Sequence, residues 1–289
     1  MIKDYSFLNY MLDDNRQMPE EIIHGLLGEW LTNGKLYHTV DDKQYYIYRF
    51  ENTNAGILLK TRKTGENKGQ FEDFQPIVFG NESIKCKISS INEEKEQCVL
   101  LYDDKCLIIC AMDPMGFKED EEIYVNFNFF AHQIELRKNE DDYYNHLHKT
   151  NDGEFNIFNI GLEELVPPIA LIKGDRDKYP LIKDESLEFF DDSFMMGSGK
   201  IINSYMIEPK IKVDGETDLP NNELPLGKCD CYEFKSKIGL IPAIVEEEIL
   251  GQFMQKEKIE KFKLDKESII KVYGYIGAFI DIEKTLKQK

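Results

Sequence analysis

Two hydrophobic periodicities divide the chain. Residues 18–34, "MPEEIIHGLLGEWLTNG", set Ile22, Ile23, Leu26, Leu27, Trp30 and Leu31 on one stripe at helical spacing. Pro19 suits a first helical position, Glu20 and Glu21 complement the positive helix end, and Gly34 follows as a stop. The spacing predicts a helix over 18–34, with Trp30, the single tryptophan, anchoring it to a sheet. Beyond it the period falls to two. "KQYYIYRF" (43–50) and "AGILLKTRK" (55–63), separated by "ENTN", predict a β-hairpin. Pro76 and Gly80 punctuate the strand-like text that follows.

From there the alternation repeats itself. "EEIYVNFNFFAHQIEL" (121–136) lies on "ESIIKVYGYIGAFIDI" (267–282) without a gap, matching Ile123 with Ile269, Phe127 with Tyr273 and Phe129 with Tyr275. Upstream, the segments 84–91, 97–103 and 105–112 are echoed in order by 200–207, 231–237 and 238–245. Two copies are too few for a solenoid but suit two similar β modules. An acidic segment precedes each last strand. In the second copy it carries Ile249, Leu250, Phe253 and Met254 at helical spacing, which predicts a helix there. Between the copies, "GLEELVPP" reads as a short helical turn halted by prolines. Residues 208–228, rich in Pro, Asn, Asp and Gly, read as a long exposed hairpin tip.

These boundaries divide the chain into a helix and hairpin region (1–75), a first β module (76–138), a connector (139–190) and a second β module (191–289). A curled five-stranded sheet with a helix or loop between strands is the plan of a small, partly open barrel. Gly197 entering the "KIINS" strand, the apolar middle strands and "KVYGYIGAF" near the end resemble the oligonucleotide/oligosaccharide-binding (OB) type of module. The resemblance implies a β-rich (α+β) fold, with an N-terminal helix and β-hairpin region followed by two small OB-like β-barrel modules. It concerns architecture, since one fold serves many functions.

Composition narrows the functional choices. Hydrophobic content of 42% with 18 Phe and 15 Tyr belongs to a globular chain. Its longest apolar runs, such as "VPPIALI" (166–172), are too short to span a membrane, and its first residues show no export pattern, so a cytoplasmic location is expected. Six cysteines in such a chain are expected to be reduced, and Cys229-Asp-Cys231 is spaced too tightly for a zinc knuckle. A net charge of −18 opposes tracking of a phosphate backbone. Lys60, Arg62 and Lys63, with Lys68, form the one basic cluster.

Several motifs suggest chemistry. "MMGSGKIINS" (195–204) evokes a phosphate-binding loop, but that motif needs glycine at Phe194 and a hydroxyl at Ile201, and then a helix instead of alternation. The stretch reads better as the entry to the first strand of the second module. His146 and His148, near Asp141 and Asp142, could share a metal only off a helix. In "YVNFNFF" (124–130), Tyr124, Asn126, Asn128 and Phe130 share one face and offer a stacking platform; Val125, Phe127 and Phe129 share the other. The expected function is non-enzymatic binding of a protein partner through the module faces or the cleft between modules, with no cofactor and no membrane contact. One alternative is single-stranded nucleic-acid binding by Lys60, Arg62, Lys63 and the aromatic row, or imitation of nucleic acid by the acidic surface. Another is a metal-dependent hydrolase around His146 and His148.

Overall fold

Strand-forming residues at a period of two need partners, and the sheets they build organise the molecule. A computed structural model describes residues 28–51, 53–64, 69–80, 82–93, 96–103, 105–149, 160–166, 194–212, 223–225 and 228–288. Helix α1 is described over 28–33, so most of the helix expected at 18–34 lies outside the described residues. Its Trp30 is fully buried, with ring centroids 6.3 Å from Tyr48, Phe50 and Phe74. The tryptophan thus anchors α1 to a sheet. That sheet is the antiparallel meander β1 (Lys35–Val40), β2 (Lys43–Arg49), β3 (Ala55–Lys63) and β4 (Gly69–Val78), in that order.

The remaining long strands join one mixed nine-stranded sheet. The first copy of the echo forms β5 (Ile84–Asn92), β6 (Gln97–Tyr102), β7 (Cys106–Ala111) and β8 (Glu122–Arg137), and helix α2 (Glu140–Lys149) follows. A two-residue strand, β9 (Leu165–Val166), precedes the second copy. That copy forms β10 (Phe194–Ile207), the ribbon β11 (Lys210–Lys212) with β12 (Glu223–Pro225), then β13 (Cys229–Ser236) and β14 (Gly239–Glu246). Helix α3 (Glu247–Glu257), β15 (Ile269–Ile280) and helix α4 (Ile282–Leu286) complete it. The four echoed segments therefore become β5/β10, β6/β13, β7/β14 and β8/β15.

Pairing closes two rings. One runs β8–β5–β6–β7–β15–β8, the other β15–β10–β13–β14–β8–β15. Both rings contain the antiparallel β8–β15 ladder, in which Phe130 faces Tyr275 and Phe129 faces Ile276. Each ring holds four strands of its own copy or shared ladder and is closed through a parallel contact with the long strand of the other half, at Gly277–Ala111 and at Ala243–Phe129. The result is β-rich and barrel-like. Alternation now has a destination: Cys86, Ile88, Cys98, Leu100, Ile108 and Cys110 point into the first ring. Lys85 and Lys87, on either side of Cys86 in sequence, turn outward to Glu122 (2.8 Å) and Asp120 (2.6 Å).

The meander is pinned to the shared ladder by side chains acting as strand neighbours. The Val78 N–H donates to Asn128 Oδ1 (2.7 Å) and Asn128 Nδ2 donates to the Val78 carbonyl (2.9 Å). Gln75 Nε2 donates to the Ala278 carbonyl (3.1 Å), and Tyr37 Oη donates to that of Ile280 (2.7 Å). Asn128 and Val78 are fully buried, so truncation would strand two backbone groups away from water. Asn128→Ala is expected to cost about 2–3 kcal/mol in chemical denaturation.

Some local expectations need correction. Of "GLEELVPP", the described residues 161–166 form a turn and then β9, which pairs Val166 with Met196 and Leu165 with Gly197, because the open edge of β10 offers a ladder; the two prolines lie outside the described residues. Helix α2 lies where an irregular connector was expected. It starts on an Asn139 side chain that accepts from the Asp142 N–H, with three acids in its first turn. "MMGSGKIINS" lies inside β10, not at its entry. A Cβ at Gly199 would run into the Lys235 carbonyl, so this glycine serves the close approach of β10 and β13.

Candidate functional site

Between the meander and the turns of the first ring lies a cleft of about 1170 Å³. Its floor is built from five separate stretches. Lys60 comes from β3, the meander's third strand, and extends its stem inward, leaving 13% of the side chain exposed. Its Nζ lies 2.6 Å from Asp113 Oδ2, in the loop after β7, and 3.2 Å from Glu96 Oε1, at the turn entering β6. Tyr45, on β2, donates its hydroxyl to Asp113 Oδ1 (2.9 Å), and the Met115 N–H donates to the same oxygen (2.8 Å). Asp73, on β4, is the cross-strand neighbour of Lys60 and lines the same cleft.

These contacts divide the carboxyl groups. Burial alone would raise Asp113, but the Lys60 ammonium, the Met115 amide and the Tyr45 hydroxyl hold it below the ordinary carboxylate value. Asp73 goes the other way, to about 6, because of burial first and the charge of Glu96 second. Lys60 stays charged: burial lowers its pKa, and Asp113 with Glu96 more than offset that. Burial, followed by the Asp113 charge, pushes Tyr45 far up, so its phenol remains a donor. Along the walls the sign is acidic. Asp41, Asp42, Glu72, Asp73, Glu93, Glu96, Asp113 and Glu119 outnumber Lys43, Lys60, Arg62 and Lys118.

The residues expected to bind a ligand are not brought together. Lys60 belongs to the floor, and Arg62 is held by Glu72 (2.6 Å) and Asp42 (3.5 Å). Lys63 is exposed at the end of β3. Asn128 and Phe130 lie inside the protein, with Asn128 committed to Val78 and Phe130 packed 6.4 Å from the Tyr275 ring. Asn126 is half-buried. Tyr124 is half-buried under Lys284 (Nζ 4.3 Å from the ring), and its hydroxyl accepts from Gln288 Nε2. The row is therefore not an open stacking platform: the meander and α4 cover it, because both rings meet along β8.

His146 and His148 lie on α2, where residues two apart point about 200° apart around the axis. The side chain of His148 lies outside the described residues. His146 Nε2 is 3.9 Å from Glu135 Oε2, at the rim of a buried charge cluster on the shared ladder. Among the described residues, no group of three or more His, Cys, Asp or Glu is placed to hold a metal. All six cysteines are buried free thiols, and burial pushes their pKa values up.

A second groove of about 1060 Å³ runs along the outer edge of β1 toward β10, past exposed Leu36 and Met206. Sequence reading missed Tyr45, Asp73, Glu96 and Asp113, which carry the cleft floor. Nothing local marks them, since each sits alone in strand or turn text and gains partners only when the meander meets the first ring. Among the described residues no helix is long and apolar enough to cross a membrane. The chain matches no protein-family model, no curated protein and no solved structure.

Proposed function

We propose that the protein is a binding protein whose acidic cleft receives a cationic segment of a protein partner. The observation that carries this reading is the excess of carboxylates in the cleft, whose cations Lys60 and Arg62 are already paired with acids. A polyanion would meet uncompensated like charge there, whereas Lys or Arg side chains would meet partners. The chain's net charge of −18 acts in the same direction at long range, steering cationic partners inward. A protein that normally holds nucleic acid offers such a segment, so imitation of nucleic acid is one form of the same activity. The architecture belongs to this reading too. We read the two rings as OB-like modules, each a three-strand meander closed by one parallel and one antiparallel long strand, with the fifth strand taken from the other half.

The test is a titration with octa-arginine, octaglutamate and a single-stranded dT oligonucleotide across a salt series. Octa-arginine is expected to bind, and to weaken as salt rises. Neutralising Glu72, Glu93 and Glu119 to Gln is expected to weaken it about tenfold. The same number of neutralisations outside the cleft, at Glu140, Asp141 and Glu283, should leave it nearly unchanged. Equal losses in both triple variants, or preferred binding of the oligonucleotide, would overturn the assignment.

A further inference from the structure

We infer that the outer edge of β1 is a self-association surface, on which a second copy of this chain lays its own β1 antiparallel to form a two-fold dimer. Within the meander β1 pairs with β2 alone. Alternate residues of such a strand turn their N–H and C=O away from the one neighbour it has. Among the described residues, no backbone group bonds β1 from its outer side. The opposite edge of the meander differs, because Asn128 takes both the N–H and the C=O of Val78 on β4. Space lies alongside β1 as well: the groove of about 1060 Å³ separates it from Met206 on β10 and from Lys210 and Glu223 on the ribbon. Leu36 projects there with 57% of its surface exposed.

This edge is held in place. Tyr37 is the extra residue in β1, between the pairs made by Leu36 and His38. Its hydroxyl donates to the Ile280 carbonyl (2.7 Å) and accepts from the Ile282 N–H (3.1 Å). The bulge thus ties β1 to the end of the shared ladder, and the open edge is presented as a fixed template.

Charge selects the occupant. β1 starts on exposed Lys35 and runs into exposed Asp41 and Asp42 at its turn. Arg62 lies 3.5 Å from Asp42, whereas Lys35 and Asp41 have no ion-pair partner among the described residues. A strand that complements this edge antiparallel must carry an anion beside Lys35 and a cation beside Asp41. β1 itself has that order, so a two-fold axis through its middle brings each Lys35 to the other copy's Asp41. A lone lysine on an edge discourages foreign strands; here the same lysine favours a copy of its own chain. Pairing would join the two four-stranded meanders into one continuous sheet. The inference needs no ligand in the acidic cleft and stands apart from that assignment.

The experiment is sedimentation of the whole chain from about 1 to about 100 μM. Salt is kept near 0.15 M, where the Debye length is about 8 Å, because a net charge of −18 on each copy opposes association at long range. The mass is expected to rise from one copy toward two. Lys35→Glu should weaken the dimer about tenfold, since it sets like charges together. Asp41→Asn, which suits the positive φ of 52° at that turn, should weaken it about threefold. The double variant should associate more tightly than Lys35→Glu alone, because the repulsion has gone. Lys138→Glu, at the far end of the ladder from Ile280, changes the net charge equally and should behave as wild type. In hydrogen exchange, the amides of β1 should gain protection as the dimer forms. A wild-type chain that stays single at about 100 μM, as it would if the edge served another protein, would overturn the inference. So would a dimer that leaves β1 exchange unchanged, equal weakening by Lys35→Glu and Lys138→Glu, or a double variant no tighter than Lys35→Glu.

Discussion

Glu135→Gln is expected to destabilise the protein by about 3–5 kcal/mol, measured as a shifted midpoint in chemical denaturation. Glu135 and Lys271 are direct cross-strand neighbours on the shared ladder, 3% and 0% exposed, with Lys271 Nζ 3.4 Å from Glu135 Oε2. Arg137 Nη2 reaches the same oxygen at 3.2 Å, while its Nη1 lies 3.3 Å from Glu257 on α3. Lys271 also lies 4.9 Å above the buried Tyr143 ring of α2. Burial pulls Lys271 below the usual lysine value, and the Glu135 anion is what restrains that fall. Glu135 itself is held below the carboxylate range: burial would raise it, and Lys271 and Arg137 overcome that.

Removing the anion leaves a cation in a dry site, which costs far more than the pair contributes when whole. The double variant Glu135→Gln with Lys271→Met should recover part of the loss, because it removes the orphaned charge, while Arg137 keeps Glu257. A single variant costing under about 1 kcal/mol, the range of an exposed pair, would show that water reaches the cluster. One ladder with β8, β15, α2 and α3 gathered on it makes this cluster a place where both halves would loosen together.

Gly274→Ala is expected to be as severe, at about 3–5 kcal/mol or outright loss of folding. Gly274 faces Ala131 in the ladder at the point where β8 carries an extra residue, His132. A Cβ there would drive into the Phe130 carbonyl oxygen, with the Phe130 carbonyl carbon at 2.9 Å and Ala131 Cα at 3.0 Å. Backbone on a paired strand cannot step aside without opening the ladder. Gly277→Ala, three residues on, supplies the control. Its Cβ would meet Gln75 Nε2 at 3.0 Å and Phe130 Cε2 at 2.9 Å, side-chain atoms that can shift, so its cost should be smaller. Equal soluble yield and equal melting temperature for Gly274→Ala and wild type would show that the strands part more readily than their register implies.

Gly274 also shows how much of this molecule could be read in advance. "KVYGYIGAF" announced a strand and marked its glycines, and the echo with residues 121–136 named its counterpart in the first half. Neither feature told that the two counterparts pair with each other. The strands expected to finish two separate modules instead run side by side and complete each other's rings. The candidate ligand row failed to form for the same reason. Alternation put Tyr124, Asn126, Asn128 and Phe130 on one face, but the partner of that face was the meander, which covers Asn128 and is bonded to it.

By itself the sequence determined what depends on neighbours along the chain: strands with their period of two, the Trp30 anchor, helix α3, the doubled order of four strands and the overall acidity. These follow from alternation, propensity and charge, which are local or additive properties. Only the tertiary structure decided which strands close which ring. It also decided that Lys60 and Arg62 are neutralised rather than free, and that Glu96 and Asp113 meet on one lysine. A charge takes its character from what surrounds it in space, and those surroundings came from β2, β3, β4 and two turns of the first ring, segments that nothing in the linear text connects.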